Sequence, residues 1–193
     1  AVGLFYAPKV TGKLALVEIQ PELADMAKRS IAMNELTQRV SVIESDMKAI
    51  FEDIQPGSVE TVLSNPPYFP LNETTKTNHD KHFQLARHEL TIDLPGLAQV
   101  VNKLLKNNGK FYMVHRPDRL ADIFAAFASR KLMIKRIQFV YGKANREANM
   151  VLIEAIKSGR PGGVRIMPPI IAYTSENNYT KAVSDILYGT SWS

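Results

Sequence analysis

The chain has 193 residues, enough for one hydrophobic core and by length one domain, and its 45% hydrophobic and 22% charged content is ordinary for a globular protein. It holds no cysteine, which excludes disulfides and thiolate-ligated metals. Its four histidines (His79, His82, His88, His115) have no zinc-site spacing, so no metal is expected. No apolar run approaches the roughly 20 residues of a membrane span, and Ala1–Ala7 carries no positive leader, so a cytoplasmic location without membrane partners is the default.

Ala1–Ala7 reads as the tail of a helix stopped by Pro8. Leu14–Ile19 reads as a buried strand, apolar apart from Glu18. Pro21 then opens a helix at a favoured first-turn position, with Leu23, Met26, Ala27 and Ile31 as its core stripe. Val40–Glu44 is a second strand, with Asp46 just beyond it, and Val59–Ser64 a third. From Phe69 to about Arg87 the chain is polar and without period, as in a functional or lid-like loop. Leu94–Leu105 is an amphipathic helix expected to end at Asn107-Asn108-Gly109, and Lys110–His115 is a strand. Leu120, Ile123, Phe124 and Phe127 make a further helix with a core stripe, ending near Arg130. Leu132–Tyr141 and Met150–Ile156 follow as two successive strands joined by Gly142–Glu147. The tail from Ser158 is loop-rich, with a short helix near Tyr179–Leu187. This order predicts an α/β fold with a mostly parallel sheet and an antiparallel C-terminal hairpin.

The most informative stretch is Asn65-Pro66-Pro67-Tyr68, directly after the third strand. The prolines stop the ladder and hold the preceding residues extended, at a strand's carboxyl end, where open α/β sheets bind ligands. There the Asn65 side-chain oxygen and the Pro66 carbonyl can form a pair of acceptors for a planar –NH2 group. Tyr68 offers a face on which a flat base can stack. The competing reading is a proline-rich turn, but chance occurrence of this tetrapeptide in such a chain has a probability on the order of 10⁻³.

Two acids occupy related positions. Glu18, at a strand's carboxyl end, can accept hydrogen bonds from ribose hydroxyls, or it is a helix-capping or surface acid. Asp46 can accept from an adenine amino group, or it forms a turn. The net charge of +5 is uneven, with Lys131, Lys135, Arg136, Lys143, Arg146, Lys157, Arg160 and Arg165 in the last third, which points toward nucleic acid. Lys143 and Arg146 suit phosphate contact, or belong to a solvated turn.

Together these features resemble class I S-adenosylmethionine-dependent methyltransferases of the amino-group branch. In that family an acid ends the second strand, another follows the third, and an (Asn/Asp)-Pro-Pro-aromatic motif ends the fourth. Val17-Glu18-Ile19-Gln20, Ser64-Asn65-Pro66-Pro67-Tyr68-Phe69, Ala86-Arg87-His88-Glu89 and Lys143-Ala144-Asn145-Arg146-Glu147-Ala148 are more narrowly similar to the bacterial N6-adenine methyltransferases of valine tRNA. The resemblance implies a Rossmann-like fold and S-adenosylmethionine bound by Glu18, Asp46, Met47 and Asn65. It implies catalysis by Asn65, Pro66 and Tyr68, and RNA, above all tRNA, as partner. Pro67, Tyr68 and Phe69 would hold the target base, and Arg87 and His88 would shape the site mouth or cap the next helix. The family's first strand and glycine-rich loop have no counterpart here, and Ala1-Val2-Gly3-Leu4 looks like the helix after that loop. The expected organisation is thus an N-terminally incomplete methyltransferase domain at 1–157, with 158–193 as a tail packing on or extending it. The same motif also serves protein glutamine methylation, and a non-catalytic RNA-binding module is a further alternative. A nicotinamide-dependent oxidoreductase could use Glu18 but has no use for Asn65-Pro66-Pro67-Tyr68.

Overall fold

The computed structural model describes residues 11–66 and 93–189. They fall into two compact units, one holding residues 11–55 and the other residues 56–66 and 93–189. The first-helix expectation at Ala1–Ala7 and the polar segment 69–87 lie outside the described residues.

In the first unit, β1 (Leu14–Glu18) and β2 (Val40–Glu44) pair in parallel, in register from Leu14 opposite Val40 to Glu18 opposite Glu44. Parallel neighbours need a crossover, and α1 (Pro21–Met33) supplies it. Pro21 occupies the first turn, where its missing N–H costs nothing. Ile31 and Val40 are buried, with Leu14, Leu16, Leu36 and Val42 packed against them. The core stripe of α1 keeps Ala27 and Ile31 of the expected one but takes Ala24 in place of Leu23 and Met26. Ala24 and Ile31 are buried, whereas Leu23 and Met26 are 42% and 54% exposed, because one residue back turns a side chain about 100° around the helix. Nor is β1 buried on both faces: Ala15 and Val17, on the side of the pleat away from Leu14 and Leu16, are exposed.

The second unit is built on a sheet of order β3-β4-β6-β5-β7, with β8 also pairing on β5. Its elements are β3 (Val59–Ser64), α2 (Leu94–Leu104), β4 (Leu105–His115), α3 (Leu120–Ser129), β5 (Leu132–Tyr141), β6 (Ala148–Lys157), β7 (Arg165–Ile166), β8 (Ile170–Ile171) and α4 (Lys181–Tyr188). β3 and β4 are parallel, and β6 runs antiparallel between β4 and β5 as the expected hairpin return. In the tail, where the sequence predicts loop, the structure adds two short strands, both parallel to β5. Two residues each carry too little period to be seen in sequence. α2 starts on Asp93, whose Oδ1 accepts the Gly96 N–H at 2.8 Å. α2 and α3 pack on the sheet face that carries Phe111, Met113, Ile134, Ile137, Val151 and Ile153. At the centre of this core, Phe111 and Phe127 meet at 5.4 Å between ring centroids. Ile123 and Phe127 point into it, while Phe124, expected in the same stripe, is exposed.

Asn107-Asn108-Gly109 does not cap α2. The helix ends at Leu104 and the chain enters β4 at once. Val59 lies opposite Leu105 but Thr61 lies opposite Lys110, so β4 advances five residues while β3 advances two. The three extra residues bulge out, with Asn108 at φ 62°. Glycine is required beside it: a Cβ on Gly109 would lie 2.8 Å from the Lys106 carbonyl oxygen and 3.2 Å from that of Glu60. Among the described residues no helix is long and apolar enough to cross a membrane. Gly109→Ala is expected to destabilise the protein by roughly 1–3 kcal/mol through backbone displacement, read as a lower urea midpoint with an unchanged slope.

Candidate active site

Ser64, the last residue of β3, lies opposite Met113 on β4. Immediately beyond it Asn65 is exposed and Pro66 is buried. Because β6 is antiparallel to both of its neighbours, β5 runs parallel to β3 and β4. The carboxyl ends of three strands therefore share one edge of the sheet: Asn65-Pro66 after β3, His115 at the end of β4, and the 142–147 connection after β5. Pro67, Tyr68, Phe69, Arg87 and His88 lie outside the described residues.

Lys143 and Arg146 sit in that connection, closed by the Arg146 N–H donating to the Lys143 carbonyl at 3.1 Å. Lys143 is half-buried and its Nζ donates to the Ser175 carbonyl at 3.3 Å, whereas Arg146 is exposed. Other cations of the basic last third serve the fold. Lys135 donates to the carbonyls of Arg160 and Gly162 at 2.5 and 2.7 Å, and Lys157 to that of Leu105 at 2.6 Å. The charge bias thus overstates the basic surface on offer to a polyanion.

Glu18 and Asp46 stand at the carboxyl ends of β1 and β2, and both make local bonds. One Glu18 carboxylate oxygen accepts the Gln20 N–H at 3.0 Å, at the start of α1. Asp46 Oδ1 accepts the Lys48 N–H at 2.8 Å, and its carbonyl accepts from Ala49 at 2.9 Å and from the Ser45 hydroxyl at 3.1 Å. The turn open to Asp46 is therefore present, while the Glu18 bond falls on the residue before α1, a helix with no side-chain cap. Each bond uses one oxygen of a group that accepts up to about four, so neither acid is spent as an acceptor. Met47 follows Asp46 and is half-buried.

Two features of the sheet were not singled out from sequence. His115, only 2% exposed, ends β4. Its Nδ1 accepts the Arg116 N–H at 2.8 Å, which places a neutral ring's proton on Nε2. Burial holds the imidazole below its ordinary pKa. The strand-end rule that found Asn65 applies equally to His115. On the opposite sheet face, Tyr112, Glu154 and Arg136 lie side by side across β4, β6 and β5. Glu154 is buried and pairs with Arg136 at 3.6 Å. The Tyr112 phenol is pushed up to about 12, chiefly by burial and then by hydrogen bonding to Glu154.

A histidine with a lowered folded pKa contributes stability that is present above its unfolded value near 6.5 and lost as pH falls through the folded one. The urea midpoint should therefore fall from about pH 7.5 to about pH 5, with a shallower fall in His115→Gln.

No family model matches the chain. Among curated proteins it is 26% identical over 140 residues to the tRNA1(Val) (adenine(37)-N6)-methyltransferase of Porphyromonas gingivalis, covering 72% of this chain and 54% of that protein. It is 30% identical over 142 residues to the enzyme of the same name from Aeromonas hydrophila, covering 73% and 57%. The chain thus spans a little over half the length of these relatives. Among solved structures, a protein from Agrobacterium tumefaciens described as a predicted O-methyltransferase matches with TM-score 0.77 and 21% identity, over 99% of this chain and 85% of that one. Geranyl diphosphate C-methyltransferase from Streptomyces coelicolor, solved with Mg2+, geranyl diphosphate and S-adenosyl-L-homocysteine, matches with TM-score 0.59 and 13% identity, over 80% and 66%. The chain has the Rossmann-like α/β fold of class I methyltransferases, and in sequence it is similar to the bacterial tRNA adenine-N6 methyltransferases.

Proposed function

We propose that the chain belongs to a cytoplasmic enzyme that transfers a methyl group from S-adenosylmethionine to the exocyclic amine of adenine in RNA, with tRNA as the substrate class. The observation that carries this reading is Asn65-Pro66 at the carboxyl end of β3, exposed amide beside buried proline, followed in sequence by Pro67-Tyr68. The names of the relatives support the substrate, and the fold supports the reaction class. The pairing of β7 and β8 on β5 supports reading residues 158–193 as an extension of the 1–157 methyltransferase domain.

Glu18 and Asp46 fit the cofactor as acceptors with capacity left after their local bonds, Glu18 toward ribose hydroxyls and Asp46, with Met47 beside it, toward the adenine ring. When bound, the cofactor supplies an activated methyl group on a positively charged sulfur. An adenine amine is a weak nucleophile because its lone pair is delocalised into the ring. The Asn65 side-chain oxygen and the Pro66 carbonyl accept hydrogen bonds from its two N–H groups, which favours the pyramidal amine and aims its lone pair. This is orientation with electrostatic stabilisation, and no covalent bond to the enzyme is needed. The surplus proton leaves only after the new bond forms, so no general base acts before attack. Tyr68 and Phe69 stack on the base, which an unpaired RNA loop releases at little cost. Pro67 contacts the base with them, Arg87 and His88 contact the RNA, and Lys143 and Arg146 take phosphates.

Asn65→Ala in the full-length protein should lower the methylation rate of unmodified tRNA by roughly 10²–10³-fold while tRNA and cofactor affinities hold. Activity near wild type would contradict the amine-acceptor role. Glu18→Gln should weaken S-adenosylmethionine binding roughly 10- to 100-fold, measured by calorimetry, with tRNA affinity unchanged.

A further inference from the structure

The tail makes a second structure at the sheet edge that carries Asn65. β8 runs parallel to β5, so the chain leaves the sheet at the carboxyl end of β5. Ala172 and Tyr173 continue the ladder there, donating to the carbonyls of Tyr141 at 2.8 Å and Gly142 at 3.0 Å. The next residues fold back as a tight hairpin. The Thr174 N–H donates to the Asn178 carbonyl at 2.9 Å, Asn177 takes φ 65°, and Tyr179 bridges back to Tyr173. Thr180 locks the base, its N–H donating to the Ala172 carbonyl at 3.0 Å and its hydroxyl to that of Ile171 at 2.7 Å. The Lys143 bond to the Ser175 carbonyl ties this hairpin to the 142–147 connection.

On this rigid base the Tyr173 and Tyr179 rings stack at 5.1 Å between centroids and 21° between planes, yet they remain 39% and 45% exposed. A cross-strand aromatic pair stabilises a hairpin by roughly 0.2–1 kcal/mol, but here the closure is already made by backbone bonds at both ends. Flat π-faces held by this hairpin and open to solvent, at the sheet edge whose 142–147 connection also carries the exposed Arg146, form a surface on which a nucleobase stacks. The surrounding charge is mixed: Glu176 lies in the turn, and Lys181 is paired with Asp185 at 2.6 Å. That leaves stacking, more than bulk charge, to provide the affinity.

We propose that Tyr173 and Tyr179 form a stacking platform for an unpaired base of the RNA substrate, separate from the target adenine, with Arg146 on the adjoining phosphate. The inference rests on the RNA reading above. Stacking tolerates any base, so the platform recognises an unpaired loop and not a sequence.

The test is fluorescence anisotropy of the full-length protein with an unmodified tRNA transcript and with a fully paired RNA duplex of equal length. Tyr173→Leu/Tyr179→Leu should weaken tRNA binding roughly 5- to 100-fold and leave duplex binding within about twofold. Tyr173→Phe/Tyr179→Phe, which keeps the rings and removes the hydroxyls, should bind tRNA within about twofold of wild type. The platform is overturned if the leucine variant binds tRNA like wild type, or if it loses tRNA and duplex alike. It is equally overturned if the phenylalanine variant loses as much as the leucine variant. Failure of the methyl-transfer reading is visible separately. A wild-type protein that binds tRNA through these rings but transfers no methyl group supports the platform and contradicts that reading.

Discussion

The arrangement of the larger unit depends on strand direction. β6 runs backward between β4 and β5, so β3, β4 and β5 all point the same way and release their chains at one edge. Everything chemically distinctive in this unit follows from that constraint. Asn65 is exposed where the ladder stops, next to the buried Pro66, and His115 ends the neighbouring strand. The basic connection and the tyrosine hairpin follow β5 on the same edge. A one-residue slip in register would turn each strand's side chains to the opposite face. The bulge around Gly109 takes up the mismatch at the opposite end of β3 and β4, which leaves the register from Thr61 to Ser64 intact.

Charge in this protein serves structure as often as recognition. Glu154 is tolerable in the sheet interior because Arg136 lies beside it on one neighbouring strand and Tyr112 on the other. Lys135 and Lys157 end on backbone carbonyls, and Lys135 thereby pins the start of the tail to β5. Once these are set aside, exposed cations such as Arg146 remain for a polyanion, with Glu18 and Asp46 as acceptors at the ends of the smaller sheet.

Most of the fold was legible because its signals are periodic or punctuated. β2, β3 and β5 have the bounds read from the sequence, and α1 begins on Pro21. The errors have local causes. Leu23, Met26 and Phe124 are apolar and lie within one helical step of the true core stripes, and hydrophobicity alone cannot choose between faces when alanines complete the stripe. Asn-Gly after a helix ordinarily marks a cap, yet β4 uses it as a bulge because β3 already holds the register on both sides. Asn65 was visible because two prolines follow it. His115 sits at a strand end that the sequence also marks, whereas the tyrosine pair has no such local mark, since its position becomes meaningful only once β5 and β8 are seen to end together.

The central claim is that this sheet edge presents an adenine amine for methylation. Its most direct test is nucleoside analysis of unmodified tRNA after incubation with the full-length protein and S-adenosylmethionine carrying a labelled methyl group. The account predicts the label as N6-methyladenosine in a single tRNA species. Label at a ring position of the base, or in protein glutamine with none in RNA, would contradict it.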